Sequence, residues 1–498
     1  MLLTCLLLVA LTAWADDFGP QQGCRRGKLR PQTAASRAPL CRSGRVGDTY
    51  IGQRRQLVVL AAFSDRTFKG DAAATLQQWN RIFNEADLAE TPFVGSVHDY
   101  FYAQSYGRFD LTFDLAYVQL SSSYVKYGST ADDDENSQYL VDDVVDVLLT
   151  RDIDWSRYDW DGDGYVNQLL IVYAGKGSSY GGFGGDKNSI WPHQWWLSQH
   201  LDLTTSDPED YRDARTVSSG GITYTVDSYC CLAELYSNGS YGTFGTICHE
   251  YSHCFGFPDF YYGSGTSVVG SWDLMDYGNN NGDGFCPCGY SAHERMLMGW
   301  LTPTELTEAA SITGMPALAD EPRAYLVRNS GYADEFYLVE NRQQSGWDQS
   351  LPGSGIVVFH IDYDADVWST DMPNSSSHKR YAIFPANNRT SSYYTAGWAY
   401  PYGTNDALTD MSSPAATLLH ANAGGTLLMG KPLTGMAVTA GLASFDFMGG
   451  APSSIVPHPS TLNPPLSTIY DLQGRPVGTS WDALPHGTYI VGRRKVIK

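Results

Sequence analysis

Positive charge is scarce in this chain of 498 residues: 33 Lys and Arg stand against 54 Asp and Glu, a formal net charge of −21. A surface of that sign repels a phosphate backbone, so nucleic acid is excluded as an expected partner. Long apolar runs are also missing. Beyond residues 1–15, no segment approaches the ~20 apolar residues that a membrane span requires, and no transmembrane helix is expected. Cysteine amounts to 9 residues, one of them Cys5 in the apolar start. Setting Cys5 aside leaves an even number, which suits disulfides in an oxidising compartment. Aromatics are not lacking. With 33 Tyr and 13 Trp the composition is that of a globular protein, and the length implies two to four packed units.

The apolar run 1–15 ends in Ala13-Trp14-Ala15, a small-x-small pattern followed by Asp16-Asp17. It reads as a signal peptide, so export to the extracellular space is expected, with cell-surface association as a further option. Residues 16–55 reverse the charge balance. Nine basic residues lie between Cys24 and Arg55 against the single acid Asp48, in a Gly-, Ala-, Ser- and Pro-rich setting. We read them as a pro-segment or linker, with Cys24 expected to pair with Cys41 rather than to hold a metal.

Residues 56–63 form an unbroken apolar run, as expected of a buried strand, and 168–174 repeat it. Residues 77–86, 97–102 and 139–149 have helical spacing, and 109–118 alternate as a strand does. Beyond residue 323 helical spacing fades, and 324–327, 335–340 and 355–360 read as strands between Gly, Pro and Asn turns. The expected organisation is a catalytic domain at 56–305, a β-sandwich at 306–450, a Pro/Ser-rich linker at 451–465 and a short β tail at 466–498. The fold class is α+β, with a mixed α/β first domain.

Residues 249–259 carry the chemistry. His249 and His253 are four apart, a little over one helical turn, so both imidazoles share a face and can grip one tetrahedral Zn²⁺. Glu250 stands beside the ion's open position as a general base. Gly256 ends the helix, and a chain reversal there can return Asp259 as third ligand. Glu294, in the helix-like run 291–297, is the competing third ligand. Cys248 and Cys254 are expected to be structural. Downstream, Met275 fits an apolar turn beneath the metal, and Tyr277 is placed to bind a tetrahedral oxyanion. Residues 159–167 match most of a calcium loop: Asp159, Asp161, Asp163, the Tyr165 carbonyl and Asn167 supply hard oxygens, but position twelve is Leu170 and a strand follows. A one-sided structural Ca²⁺ loop is the reading.

These residues resemble the immune inhibitor A family of secreted zinc peptidases. The likeness rests on 245–250, Pro258-Asp259 and 271–275, and extends through 95–101, the Asp-rich loop, 190–193, 340–344, 351–356 and 360–362. It covers roughly residues 55 to 390. The resemblance implies a zincin-type endopeptidase domain with catalytic zinc, structural calcium and a following β-rich domain, acting on protein or peptide substrates. It carries over at His249, Glu250 and His253, and at Asp259 where the usual metzincin has a third His. His193, in the stretch 190–193, either lines the cleft or packs there. The tail 466–498 resembles a secretion sorting domain, which would contact sorting machinery or the cell surface. The rival functions are a zinc hydrolase on a non-peptide substrate and an adhesion protein with a vestigial zinc domain.

Overall fold

The computed structural model describes residues 49–450 apart from 129–135, 180–185, 187, 201–210, 262–265 and 370–372, with four short strands between 469 and 497. The expected signal peptide, most of the pro-segment with Cys24 and Cys41, and the linker at 451–465 lie outside these residues. Seven described strands precede the metal-ligand motif: β1 (Gly52–Ala62), β2 (Phe109–Gln119), β3 (Leu169–Lys176), β4 (His193–Trp196), β5 (Arg215–Ser219), β6 (Ile222–Val226) and β7 (Ser228–Leu235). Five of them form one sheet in the order β2-β1-β3-β7-β4, parallel throughout except for the antiparallel β7–β4 pair. β5 and β6 pair separately. Strands covered on both faces need continuous apolar sequence, and Val58 to Ala62 and Leu169 to Ala174 are all buried.

Helices Ala72–Asn84, Val97–Gln104 and Ser137–Leu148 connect these strands. The first starts five residues before the periodic run at 77, because the Asp71 carboxylate caps it by accepting from the Ala74 amide. The second opens on a capping box between Ser96 and Asp99.

After the metal-ligand motif come β8 (Thr304–Glu305), β9 (Ala310–Met315), β10 (Tyr325–Arg328), β11 (Glu335–Arg342), β12 (Gly355–Asp362), β13 (Tyr381–Ile383), β14 (Leu433–Thr439) and β15 (Leu442–Phe447). They make a five-stranded sheet, β13-β12-β11-β10-β8, and a three-stranded one, β14-β15-β9. The hydrophobic core runs without a break across residue 305: Leu338, Phe359, Ile361 and Tyr381 pack in the same cluster as Val59, Ile247 and Met275. Fully buried Arg342 crosses this junction too. It pairs with Glu340 at 3.1 Å and Asp348 at 2.7 Å, and donates to the carbonyls of Trp272 and Gly289. A guanidinium survives such burial only with its donors answered. Residues up to 453 form one compact unit and 454–498 another. The second contains four antiparallel strands in the order β17-β16-β18-β19, spanning Pro476–Gly478, Ile469–Tyr470, Thr488–Val491 and Arg494–Ile497.

Among the described residues no disulfide links the six cysteines, although the even cysteine number of the sequence suggested such bonds. Cys230 and Cys254 come closest among the described contacts, with Sγ atoms 3.8 Å apart.

One buried group makes acid stability testable. His293 is 1 % exposed, and neither ring nitrogen has a hydrogen-bond partner among the described residues. Burial alone pushes it down to about 3 from its ordinary 6.5. The unfolded chain therefore binds a proton below pH 6.5 that the folded chain refuses, and stability falls with pH between about 6.5 and 3. Replacing His293 with Leu should remove about 2 kcal/mol of the stability difference between pH 7 and pH 4.5. Denaturant unfolding of both proteins at the two pH values measures it; equal losses would contradict the assignment.

Candidate metal centre

The helix Phe244–His253 is buried from its first residue through Ser252. Its approach to the segment Tyr277–Gly284 depends on Gly245: a Cβ there would stand 1.9 Å from the Asn279 carbonyl oxygen. Gly256 follows with φ +95°, a left-handed conformation that side chains avoid, and its amide donates to the His253 carbonyl at 2.8 Å. The chain turns there, and Asp259 comes back toward the helix.

Three atoms converge as a result. Asp259 Oδ1 lies 3.2 Å from His249 Nε2 and 3.4 Å from His253 Nε2. Donors around a tetrahedral ion with bonds of ~2.0–2.1 Å stand ~3.3 Å apart, so these separations match the edges of a zinc tetrahedron. The other ring nitrogens face backbone carbonyls, His249 Nδ1 at 2.9 Å from Leu274 O and His253 Nδ1 at 2.8 Å from Phe257 O. A carbonyl only accepts, so each Nδ1 carries the proton and each neutral ring turns a bare Nε2 lone pair inward. The donor set and its orientation fit zinc. Burial pushes the Asp259 carboxyl up; in the metal-free protein His253 and His249 outweigh this in their protonated form and hold it below the ordinary range.

Glu250 belongs to the same cluster as the two histidines, with Oε2 3.9 Å from His253 Nε2. Burial raises its carboxyl above the ordinary range, and the neighbouring imidazoles offset this only in part. Glu294 is differently engaged. It closes a capping box on the helix Ala292–Leu297, with Oε2 accepting from the Ser291 amide at 2.7 Å.

Met275 is fully buried in the turn that supports His249. The Leu274 carbonyl in that turn receives His249, and the Met275 carbonyl accepts from the Phe260 amide at 2.9 Å, next to Asp259. Asp273 shapes the turn: Oδ1 accepts from the Met275 amide and Oδ2 from the Tyr381 hydroxyl at 2.7 Å. Tyr277 is half-buried at the start of the following segment. His193, at the head of β4, is buried with Nδ1 2.7 Å from Trp191 O and Nε2 3.2 Å from Tyr229 Oη.

Asp159, Asp161 and Asp163 cluster in a half-exposed to exposed loop. Asp159 accepts from the amides of Gly162, Asp163 and Gly164, while Asp163 accepts from Tyr165 and Asn167 from Trp160. These bonds close the loop on its own backbone.

Sequence reasoning missed Tyr261, whose hydroxyl donates to Asp259 Oδ2 at 2.6 Å and orients the carboxylate. A Tyr two residues beyond a proposed ligand was its only signal. Tyr261→Phe should weaken zinc binding by ~10- to 100-fold, the usual effect of losing such a partner. Competition against a chelator measures it, and unchanged affinity would leave Asp259 oriented by other means.

Residues 77–298 match the family described as Immune inhibitor A peptidase M6, catalytic domain. Among curated proteins, Immune inhibitor A of Bacillus thuringiensis subsp. alesti is 28% identical over 159 residues, covering 28% of this chain and 21% of that relative. The match thus spans about a fifth of the relative's length.

Proposed function

From the match of residues 77–298 to the immune inhibitor A peptidase M6 catalytic domain, we propose that the chain is a zinc-dependent endopeptidase acting on proteins or peptides. The observation that supports this most is the 3.2 and 3.4 Å convergence of Asp259 Oδ1 on the two Nε2 atoms, with both Nδ1 protons committed to backbone carbonyls. His249, His253 and Asp259 would hold the ion. When bound, zinc supplies Lewis acidity, which brings a water toward ionisation at neutral pH and polarises a carbonyl.

The chain's own groups do the rest. Glu250 takes a proton from the attacking water and delivers it to the leaving amine. Its buried position keeps bulk water from competing for that proton. The Leu274 carbonyl keeps the His249 ring in one tautomer and orientation. Tyr277 would donate its hydroxyl proton to the oxyanion of the tetrahedral stage. β4, an edge strand of its sheet and in contact with the ligand helix, offers a ladder to which an extended substrate backbone could add.

The same reading includes a zincin-type first domain with β9–β15 as a β-sandwich, export of the protein, and a tail that meets sorting machinery. It also includes a structural Ca²⁺ on Asp159, Asp161, Asp163, the Tyr165 carbonyl and Asn167. No helix among the described residues is long and apolar enough to cross a membrane.

Casein cleavage by the purified protein should be abolished by a zinc chelator and restored by added zinc, with calcium alone insufficient. Cleavage that survives complete zinc removal would overturn the proposal. Zinc binding without cleavage of casein or gelatin would favour a non-peptide hydrolase.

A further inference from the structure

We propose that Asp362, His378 and His420 form a second site for a divalent transition ion of the zinc class. Asp362 ends β12, His378 precedes β13 and His420 lies in the loop before β14, so tertiary structure alone unites them. His378 Nε2 stands 2.5 Å from Asp362 Oδ2, and His420 Nε2 stands 3.2 Å from Asp362 Oδ1. One ligand atom from each lies within 4.8 Å of the others. Bonds of ~2.1 Å bridge donors up to ~4.2 Å apart, so small side-chain shifts admit one ion. Two imidazoles and a carboxylate suit first-row transition ions, whereas Ca²⁺ and Mg²⁺ take oxygen.

The surroundings hold these ligands in place. The Asp362 side chain is fully buried, while those of His378 and His420 are 36 % and 33 % exposed, which leaves one side open for water to complete the coordination. The His420 amide donates to Glu335 Oε2 at 3.0 Å, and Asn329 Nδ2 donates to the His420 carbonyl at 2.9 Å. The His420 ring stacks on Tyr332 with centroids 4.0 Å apart. Arg380 opposes a cation, since Nη1 lies 2.7 Å from Asp362 Oδ2. Negative charge nevertheless stands close by: Asp364 faces Arg380 Nη2 at 3.7 Å, and Glu335, which also meets His360 at 2.7 Å, accepts from the His420 amide. Bound there, the ion would cross-link three chain segments and fix the one carrying Tyr381, whose hydroxyl braces Asp273 beneath His249.

The test is metal content of the full chain, equilibrated with Zn²⁺ in excess calcium and then desalted. Two zinc ions per chain are expected in the wild type. H378A/H420A should keep one and retain casein cleavage, and H249A/H253A should keep one and lose cleavage. One zinc in the wild type, unchanged in H378A/H420A, would overturn the proposal and leave a hydrogen-bonded cluster on Asp362. One zinc lost only in H378A/H420A would support this site and overturn the catalytic one. Should H378A/H420A fail to fold, Co²⁺ added to H249A/H253A decides: one visible-absorbing equivalent supports the site and none overturns it.

Discussion

Glu250→Ala is expected to retain zinc and lose at least ~10³-fold of turnover, about 4 kcal/mol of barrier. The carboxylate takes no part in the convergence of the three ligand atoms: the 3.2 and 3.4 Å contacts are made by His249, His253 and Asp259, while Glu250 stands 3.9 Å from His253 Nε2. Its removal therefore takes away the proton carrier and leaves the metal grip. Glu250→Gln, which keeps the shape but cannot accept the proton, should fail to the same degree. Zinc content and kcat measured together on both variants check this. Near-normal turnover in either would sink the mechanism.

Asp259→Ala is expected to act on the metal itself. Losing a direct ligand should cost more than the ~10- to 100-fold typical of outer partners, so zinc affinity should fall by well over ~10²-fold, with activity lost at ordinary zinc concentrations. Glu294 is no ready replacement: it is held in its capping box by Ser291, and leaving it would take away the acceptor of the Ser291 amide. Excess zinc should restore some activity in Asp259→Ala but none in Glu250→Ala, which separates the two roles. Full zinc occupancy in Asp259→Ala at submicromolar free zinc would move the third ligand elsewhere.

Local spacing made part of this architecture legible. The buried strands at 56–63 and 168–174 and the helices near 77, 97 and 139 could be read because apolar period reports secondary structure within a few residues. His249 and His253 could be paired because four residues is one helical turn, and Gly256 marked the reversal before Asp259. What spacing does not encode is which distant segment supplies support. Asp273 is braced by Tyr381 and the Trp272 carbonyl is bonded by Arg342, partners that lie 108 and 70 residues away. The Asp362, His378 and His420 cluster escaped notice for the same reason, since no two of its members share a helix turn or a strand face. The continuous core across residue 305 was equally hidden: fading helical period marks a change of element type, and it does not mark a break in packing.

The central claim is that one zinc ion sits between His249, His253 and Asp259, and anomalous diffraction at the zinc absorption edge tests it most directly. The account predicts a peak ~2.0–2.2 Å from His249 Nε2, His253 Nε2 and Asp259 Oδ1. A featureless map at that point in crystals that bind zinc, or a peak whose third protein ligand is Glu294, would contradict it.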